Sequence, residues 1–231
     1  MKKTKLLCLL LALAMLIALS SCGSTGSTDE DETDLSSSLQ TEETDEDDSS
    51  ANPAEGMYQP PALDENLTYF ADIEIKDYGT ITVKLDKETA PITVANFVDL
   101  AKSGFYDGLT FHRIMAGFMM QGGDPEGNGM GGSDNNIYGE FAANGFENNL
   151  SHTRGVISMA RATPPNSASS QFFICHADST FLDGGYAAFG EVTEGIEVVD
   201  AVCEAAKPID QNGTIPAEEQ PVMTSVTIRT E

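Results

Sequence analysis

Apolar and polar residues alternate through "ADIEIKDYGTITVKLD" (71–86), with Ile73 and Ile75 before a turn containing Gly79 and Ile81, Val83 and Leu85 after it. A period of two marks half-buried strands, so this segment predicts a β-hairpin. The period then changes. In "TAPITVANFVDLAKSG" (89–104) Val94, Phe97, Val98 and Ala101 share one helical face, Pro91 sits in the first turn and Gly104 supplies a stop. Short β-like runs follow in "LTFHRIM", "GFMMQG", "GVISMA", "SQFFICH" and "AAFGEV", and a second helical pattern, "GIEVVDAVCEAA" (195–206), precedes a last strand in "MTSVTIRT". Many short strands with only two helices predict a mostly-β barrel or sandwich rather than βαβ units.

The chain upstream of this domain follows neither period. Lys2, Lys3 and Lys5 precede an apolar stretch from Leu6 to Leu19, then small residues, which is the pattern of an export signal. Its 14 apolar residues rise about 21 Å as a helix, short of the roughly 30 Å hydrocarbon core, so a spanning helix is the weaker reading. "LSSC" (19–22) resembles the lipobox of bacterial lipoproteins. That resemblance implies removal of residues 1–21 and a diacylated Cys22 that anchors an outward-facing, exported domain to the cell membrane; two acyl chains suffice for stable anchoring. An ordinary secretory signal with a chance cysteine leads to the same exported destination.

Composition changes again after Cys22. No Lys or Arg occurs from Leu6 to Ile75, and residues 23–66 hold 14 acidic side chains with one aromatic, Tyr58. Such a stretch buries too little apolar surface to offset its ordering entropy, so residues 22–66 are expected to form a disordered acidic linker. The domain is expected over residues 67–231, where 23 acidic side chains face 9 basic ones. Within a chain of net charge −25, that balance argues against a nucleic-acid partner. Cys175 lies in an apolar run and Cys203 on a helical pattern, a setting that favours two buried free thiols, although export permits a disulfide.

Several chemistries fail on context. "GNGMGG" (127–132) satisfies G-x-G-x-x-G, but no helical period follows, so it reads as a glycine-rich surface loop. His112, His152 and His176 share no short ligand spacing, which gives no metal site. No G-x-S-x-G elbow is present for a serine hydrolase.

What remains is "FHRIMAGFMMQGGD" (111–124), where an arginine and a glutamine stand inside an apolar run. A buried unpaired charge is costly, so Arg113 needs a partner, a route to water or a catalytic role. This run together with "SMARATPPNSASSQFFICHADSTFLDGGYAAFGEV" (158–192) resembles the cyclophilin family of peptidyl-prolyl isomerases, over about residues 70–230. The resemblance implies a closed eight-stranded antiparallel barrel capped by two helices, with a substrate groove on its outer face. It implies a cofactor-free isomerase, expected to be a monomer, acting on proline-containing polypeptides during the folding of exported proteins.

Residue by residue, Arg113 and Gln121 match the family's catalytic pair, and Phe118, Met119, Phe173 and Leu182 its proline pocket. Ala160, Arg161 and Ala162 match the segment whose backbone pairs with substrate, and Gln171 another groove position. Phe181 stands where the best-known eukaryotic members carry tryptophan, and Tyr186 where they carry histidine. The first change implies weak cyclosporin binding. His112 and His176 match no functional position. A non-catalytic proline-binding module is the alternative, and the presence of both Arg113 and Gln121 speaks against it.

Overall fold

In the computed structural model, which describes residues 54–231, each run predicted from periodicity forms an element. The strands are β1 (Tyr69–Ile75), β2 (Gly79–Leu85), β3 (Thr110–Met115), β4 (Met119–Asp124), β5 (Val156–Met159), β6 (Phe172–Cys175), β7 (Ala188–Glu194) and β8 (Met223–Thr230). Helix α1 (Pro91–Lys102) lies between β2 and β3, and α2 (Ile196–Ala205) between β7 and β8. The expected export signal, Cys22 and most of the acidic linker fall outside the described residues.

All the ladders are antiparallel, in the spatial order β3-β4-β6-β5-β7-β2-β1-β8. The sheet curls without closing, so the closed barrel expected from the sequence is corrected to an open half-barrel. The cause lies at the outer edge of β3. There Ile114 N–H donates to the Gly213 carbonyl at 2.8 Å, Ile215 N–H donates to the His112 carbonyl at 2.9 Å, and Arg113 forms a bridge pair with Thr214. The 213–215 segment thus occupies the edge that β8 would need. The chain entering β8 meets the start of β3 around the isolated pair Thr110–Val222, where Phe111 N–H donates to the Pro221 carbonyl at 2.9 Å and Met223 N–H to the Leu109 carbonyl at 2.8 Å. Pro221, one residue earlier, has no N–H to extend the ladder.

Alternation along β4 and β6 sorts side chains onto two faces. Met120, Phe172 and Ile174 enter the main core with Phe97, Tyr106 and Phe189, while Met119, Phe173 and Cys175 form a smaller cluster on the other face. Gly123 ends this strand pair at φ 81°, where an added Cβ would stand 2.6 Å from the Ser170 carbonyl oxygen, so only glycine fits. Both Cys175 and Cys203 are free and buried, as their setting predicted, and burial pushes each thiol up to about 12.

Packing extends upstream of residue 67. Tyr58 and Leu63 pack against the core, and Lys87 Nζ donates to the main-chain carbonyls of Asp64 and Glu65 at 2.8 and 2.5 Å. These apolar side chains sit among acidic neighbours, and net composition masks them.

The start of α1 lacks a local cap. Ala90 has no side-chain acceptor to offer, and Pro91 has no N–H to satisfy. The fully buried carboxylate of Glu140 fills the role from across the domain, accepting N–H bonds from Ile92 at 2.9 Å and Thr93 at 2.8 Å. Burial pushes the Glu140 carboxyl above the ordinary glutamate value, against the pull of those donors. Glu140→Ala leaves two helix-start donors without an acceptor and should cost about 3 kcal/mol in a denaturant melt, with Glu140→Gln recovering part of that. Equal stability of the alanine variant and wild type would show that the distant cap contributes nothing.

Candidate active site

Arg113 lies on the outward face of β3, half-buried, and its donors meet neutral acceptors. Nε–H donates to the Asn212 carbonyl at 2.7 Å and Nη1–H to Gln121 Oε1 at 3.1 Å. Nη2 contacts Met115 Sδ at 3.4 Å and Nη1 Met119 Sδ at 3.9 Å. Among the described residues no carboxylate forms an ion pair with it. Burial pulls the guanidinium below the ordinary arginine value, opposed by the more distant Asp210 carboxylate. Arginine nevertheless keeps its proton in proteins, so the site holds an oriented cation whose charge no neighbouring anion cancels.

Two supports aim it. The 209–215 loop presents the Asn212 carbonyl, and that loop is folded around Asp210, which accepts from Thr214 N–H at 3.0 Å and Thr214 Oγ at 2.9 Å. From the other side runs a chain of amides. Gln121 Nε2 donates to Gln171 Oε1 at 2.9 Å, and Gln171 Nε2 donates to the Gly131 carbonyl at 2.7 Å.

Gly131 belongs to the glycine-rich loop, which folds over a buried carboxylate: Asp124 accepts N–H bonds from Glu126, Asn128 and Gly129 at 2.8, 3.0 and 2.6 Å. Burial alone would raise the Asp124 carboxyl, but these donors and Gly131 N–H outweigh it and hold it below the ordinary aspartate value. His112, buried beside Arg113, is pulled below the ordinary histidine value mainly by burial.

Beside the cation lies an apolar cavity of about 130 Å³ lined by Arg113, Phe118, Met119, Gln121, Ala160, Arg161, Phe173, Leu182 and Tyr186. Apolar cavities of roughly 150 Å³ take up a benzene ring, so this one suits a single small ring. Its walls are fixed. Phe173 stacks on His152 with centroids 6.0 Å apart, and His152 is itself held by Asp183 at 2.8 Å and Ser158 at 2.9 Å.

Nine of the residues predicted from the sequence therefore surround one cavity. Gln171 and Ala162 line the adjoining groove with Gly131, Gly132 and Ser133. Phe181 stands outside both, 75% exposed, its ring 5.5 Å from Phe118. Arg161 is tied down: its guanidinium lies 4.8 Å from the rings of both Phe141 and Tyr186, and its Nε and Nη2 donate to the Gly185 carbonyl. Its main-chain N–H takes no partner among the described residues, leaving a free donor beside the cavity. The sequence reading missed Asn212, which acts through its main chain 99 residues from Arg113 and so leaves no side-chain signal. It also missed Asp124, whose carboxylate ahead of a glycine-rich run was the available clue.

The chain matches the model of the family described as cyclophilin type peptidyl-prolyl cis-trans isomerase/CLD over residues 70–229. A peptidyl-prolyl cis-trans isomerase of Helicobacter pylori is 45% identical over 142 residues, covering 60% of this chain and 85% of its own. A peptidyl-prolyl cis-trans isomerase-like 1 protein of Rhizopus delemar is 50% identical over 122 residues, covering 52% of this chain and 72% of its own. The crystal structure of a Cryptosporidium parvum cyclophilin type peptidyl-prolyl cis-trans isomerase with the dipeptide Ala-Pro superposes with a TM-score of 0.61 at 29% identity, covering 70% of this chain and 99% of that one. The chain belongs to the cyclophilin-type family and is a peptidyl-prolyl cis-trans isomerase.

Proposed function

We propose that Arg113 and Gln121 form the catalytic pair of this isomerase, and that it acts on exported polypeptides from a lipid anchor at the outer face of the cell membrane. The observation that carries the catalytic part is the uncancelled guanidinium beside a ring-sized apolar cavity. Rotation about an X-Pro bond faces a barrier of about 18–20 kcal/mol because resonance holds the amide planar. At the twisted transition state resonance is lost and the proline nitrogen becomes a lone-pair acceptor. A cation fixed beside that nitrogen stabilises the twisted state more than either planar one, and only such differential binding accelerates the reaction.

The remaining residues hold the substrate. Phe118, Met119, Phe173, Leu182 and Tyr186 grip the proline ring, with Phe181 on the rim. The main chain of Ala160, Arg161 and Ala162 pairs with the extended polypeptide, Gln121 offers its amide to a substrate carbonyl, and Gln171 keeps Gln121 in place. No bond other than the rotating one changes, so the chemistry calls for no cofactor. A site that reads one proline and its main chain suits many unfolded clients.

The location rests on the signal-like start and the "LSSC" run ending at Cys22. Cys22→Ala should move the protein from the membrane to the soluble fraction of cell extracts, and the wild-type N-terminus should carry lipid mass on Cys22. An intact Met1 on protein purified from cells would contradict the anchor.

For the catalytic part, removing one preorganised donor aimed at a transition state costs roughly 10²–10³ in rate, or about 3–4 kcal/mol. Arg113→Ala should lower kcat/KM by about that factor while the Kd of a ground-state proline peptide changes far less. Arg113→Lys should recover only part, since a point charge on a flexible stem loses the aim. Exchange-spectroscopy rates, Kd values and melting curves for each variant make the check. Near-wild-type turnover in the alanine variant would show that Arg113 is not the catalyst, and a joint loss of stability and binding would make it a structural cation instead.

A further inference from the structure

We propose that His176 is a positioning residue, whose unprotonated Nδ1 holds the Gly117–Phe118 turn and with it one wall of the proline cavity. The turn joins β3 to β4 and is exposed, with Phe118 N–H donating to the Met115 carbonyl at 2.9 Å and Gly117 at φ 79°. The Met115–Met119 pair closes its base, and Ala177 N–H reaches the Phe118 carbonyl at 3.4 Å. His176, just past the end of β6, grips it twice. Its main-chain N–H donates to the Phe118 carbonyl at 2.9 Å, and its ring Nδ1 accepts the Gly117 N–H at 2.8 Å. Phe118 in turn lines the cavity and lies 5.9 Å from the Arg113 guanidinium, so a shift of the turn reaches both the ring pocket and the cation.

The tautomer follows from the geometry. A backbone N–H only donates, so Nδ1 must accept and the ring proton sits on Nε2. That atom faces Asp200 Oδ1 at 3.2 Å. Asp200, on α2, is held by Arg154 through contacts of 2.6 and 2.8 Å, and Arg154 also donates to the His176 carbonyl at 2.9 Å. Asp178 accepts the Arg154 main-chain N–H at 2.9 Å, and the nearby Cys203 thiol stays neutral. The ring is thus oriented from α2 and from the segment before β5. A second ring proton would set Nδ1–H against Gly117 N–H, two donors face to face, and release the turn while Asp200 continues to hold the ring.

The proposal rests on the Phe118 cavity being the proline site. The experiment uses the full chain and one X-Pro peptide, with His176→Phe, His176→Asn and Phe118→Ala measured beside wild type. Phenylalanine keeps the ring and loses the acceptor; asparagine places Oδ1 near the position of Nδ1 and does not titrate. Loss of one such hydrogen bond should raise KM about fivefold in His176→Phe, with kcat changed far less. His176→Asn should restore most of the KM. If His176→Phe fails to fold, the asparagine variant is read alone, and a rise of about fivefold in its KM overturns the positioning role. A wild-type KM in His176→Phe, or an asparagine variant as impaired as the phenylalanine one, overturns the positioning role. If Phe118→Ala leaves KM unaltered, the cavity reading itself is wrong, which separates the two failures.

Discussion

An arginine held entirely by neutral acceptors is the constraint around which this domain is arranged. A carboxylate partner would make Arg113 cheaper to hold in place, and it would also cancel the field that the proposed catalysis uses. The structure instead satisfies the guanidinium with a main-chain carbonyl, a glutamine oxygen and two thioethers, and leaves it half-exposed. Desolvation stays modest, direction is fixed and charge is kept.

That arrangement explains the departure from a closed barrel. The carbonyl that receives Arg113 Nε–H belongs to Asn212, and the 209–215 loop reaches Arg113 by lying along the outer edge of β3. Had β8 paired along β3, the edge would be occupied and the carbonyl absent. The opening in the sheet and the aim of the cation are therefore one feature. The opposite support, through Gln121 and Gln171 to the loop over Asp124, completes a clamp whose two ends are separate loops on a common scaffold. Alternation along β4 and β6 then places the ring pocket on the far side of the same strands that build the main core.

Much of this was legible in the chain. A period of two gave the hairpin and the short strands, and a period of 3.6 with Pro91 and Gly104 as punctuation gave α1, because burial of one face leaves that trace. Arg113 and Gln121 drew attention as polar residues inside an apolar run. Met119 and Phe173 would singly have read as core, and only their order beside Arg113 singled them out. Closure of the sheet was not legible, since it depends on which backbone reaches an edge first and backbone carries no sequence signature. The same reason hid Asn212. Tyr58 and Leu63 were lost in the acidic average of their neighbours, although both pack on the domain. His176 shared no ligand spacing with another histidine, and its role emerges only when its Nδ1 is seen against the Gly117 N–H.

The central claim, that an uncancelled charge does the catalysis, can be tested without removing Arg113. Met115 Sδ lies 3.4 Å from Nη2 and does not line the ring cavity, so Met115→Glu sets a carboxylate against the guanidinium and Met115→Gln sets a neutral amide of equal length there. The decisive measurement is the isomerisation rate of one bound X-Pro peptide in the two variants, by exchange spectroscopy at saturating enzyme. The account predicts that the glutamate variant is slower than the glutamine variant by about tenfold or more, equivalent to about 1.4 kcal/mol of transition-state stabilisation, with similar peptide affinity in both. Equal rates in the two would show that the charge of Arg113 is not what lowers the barrier.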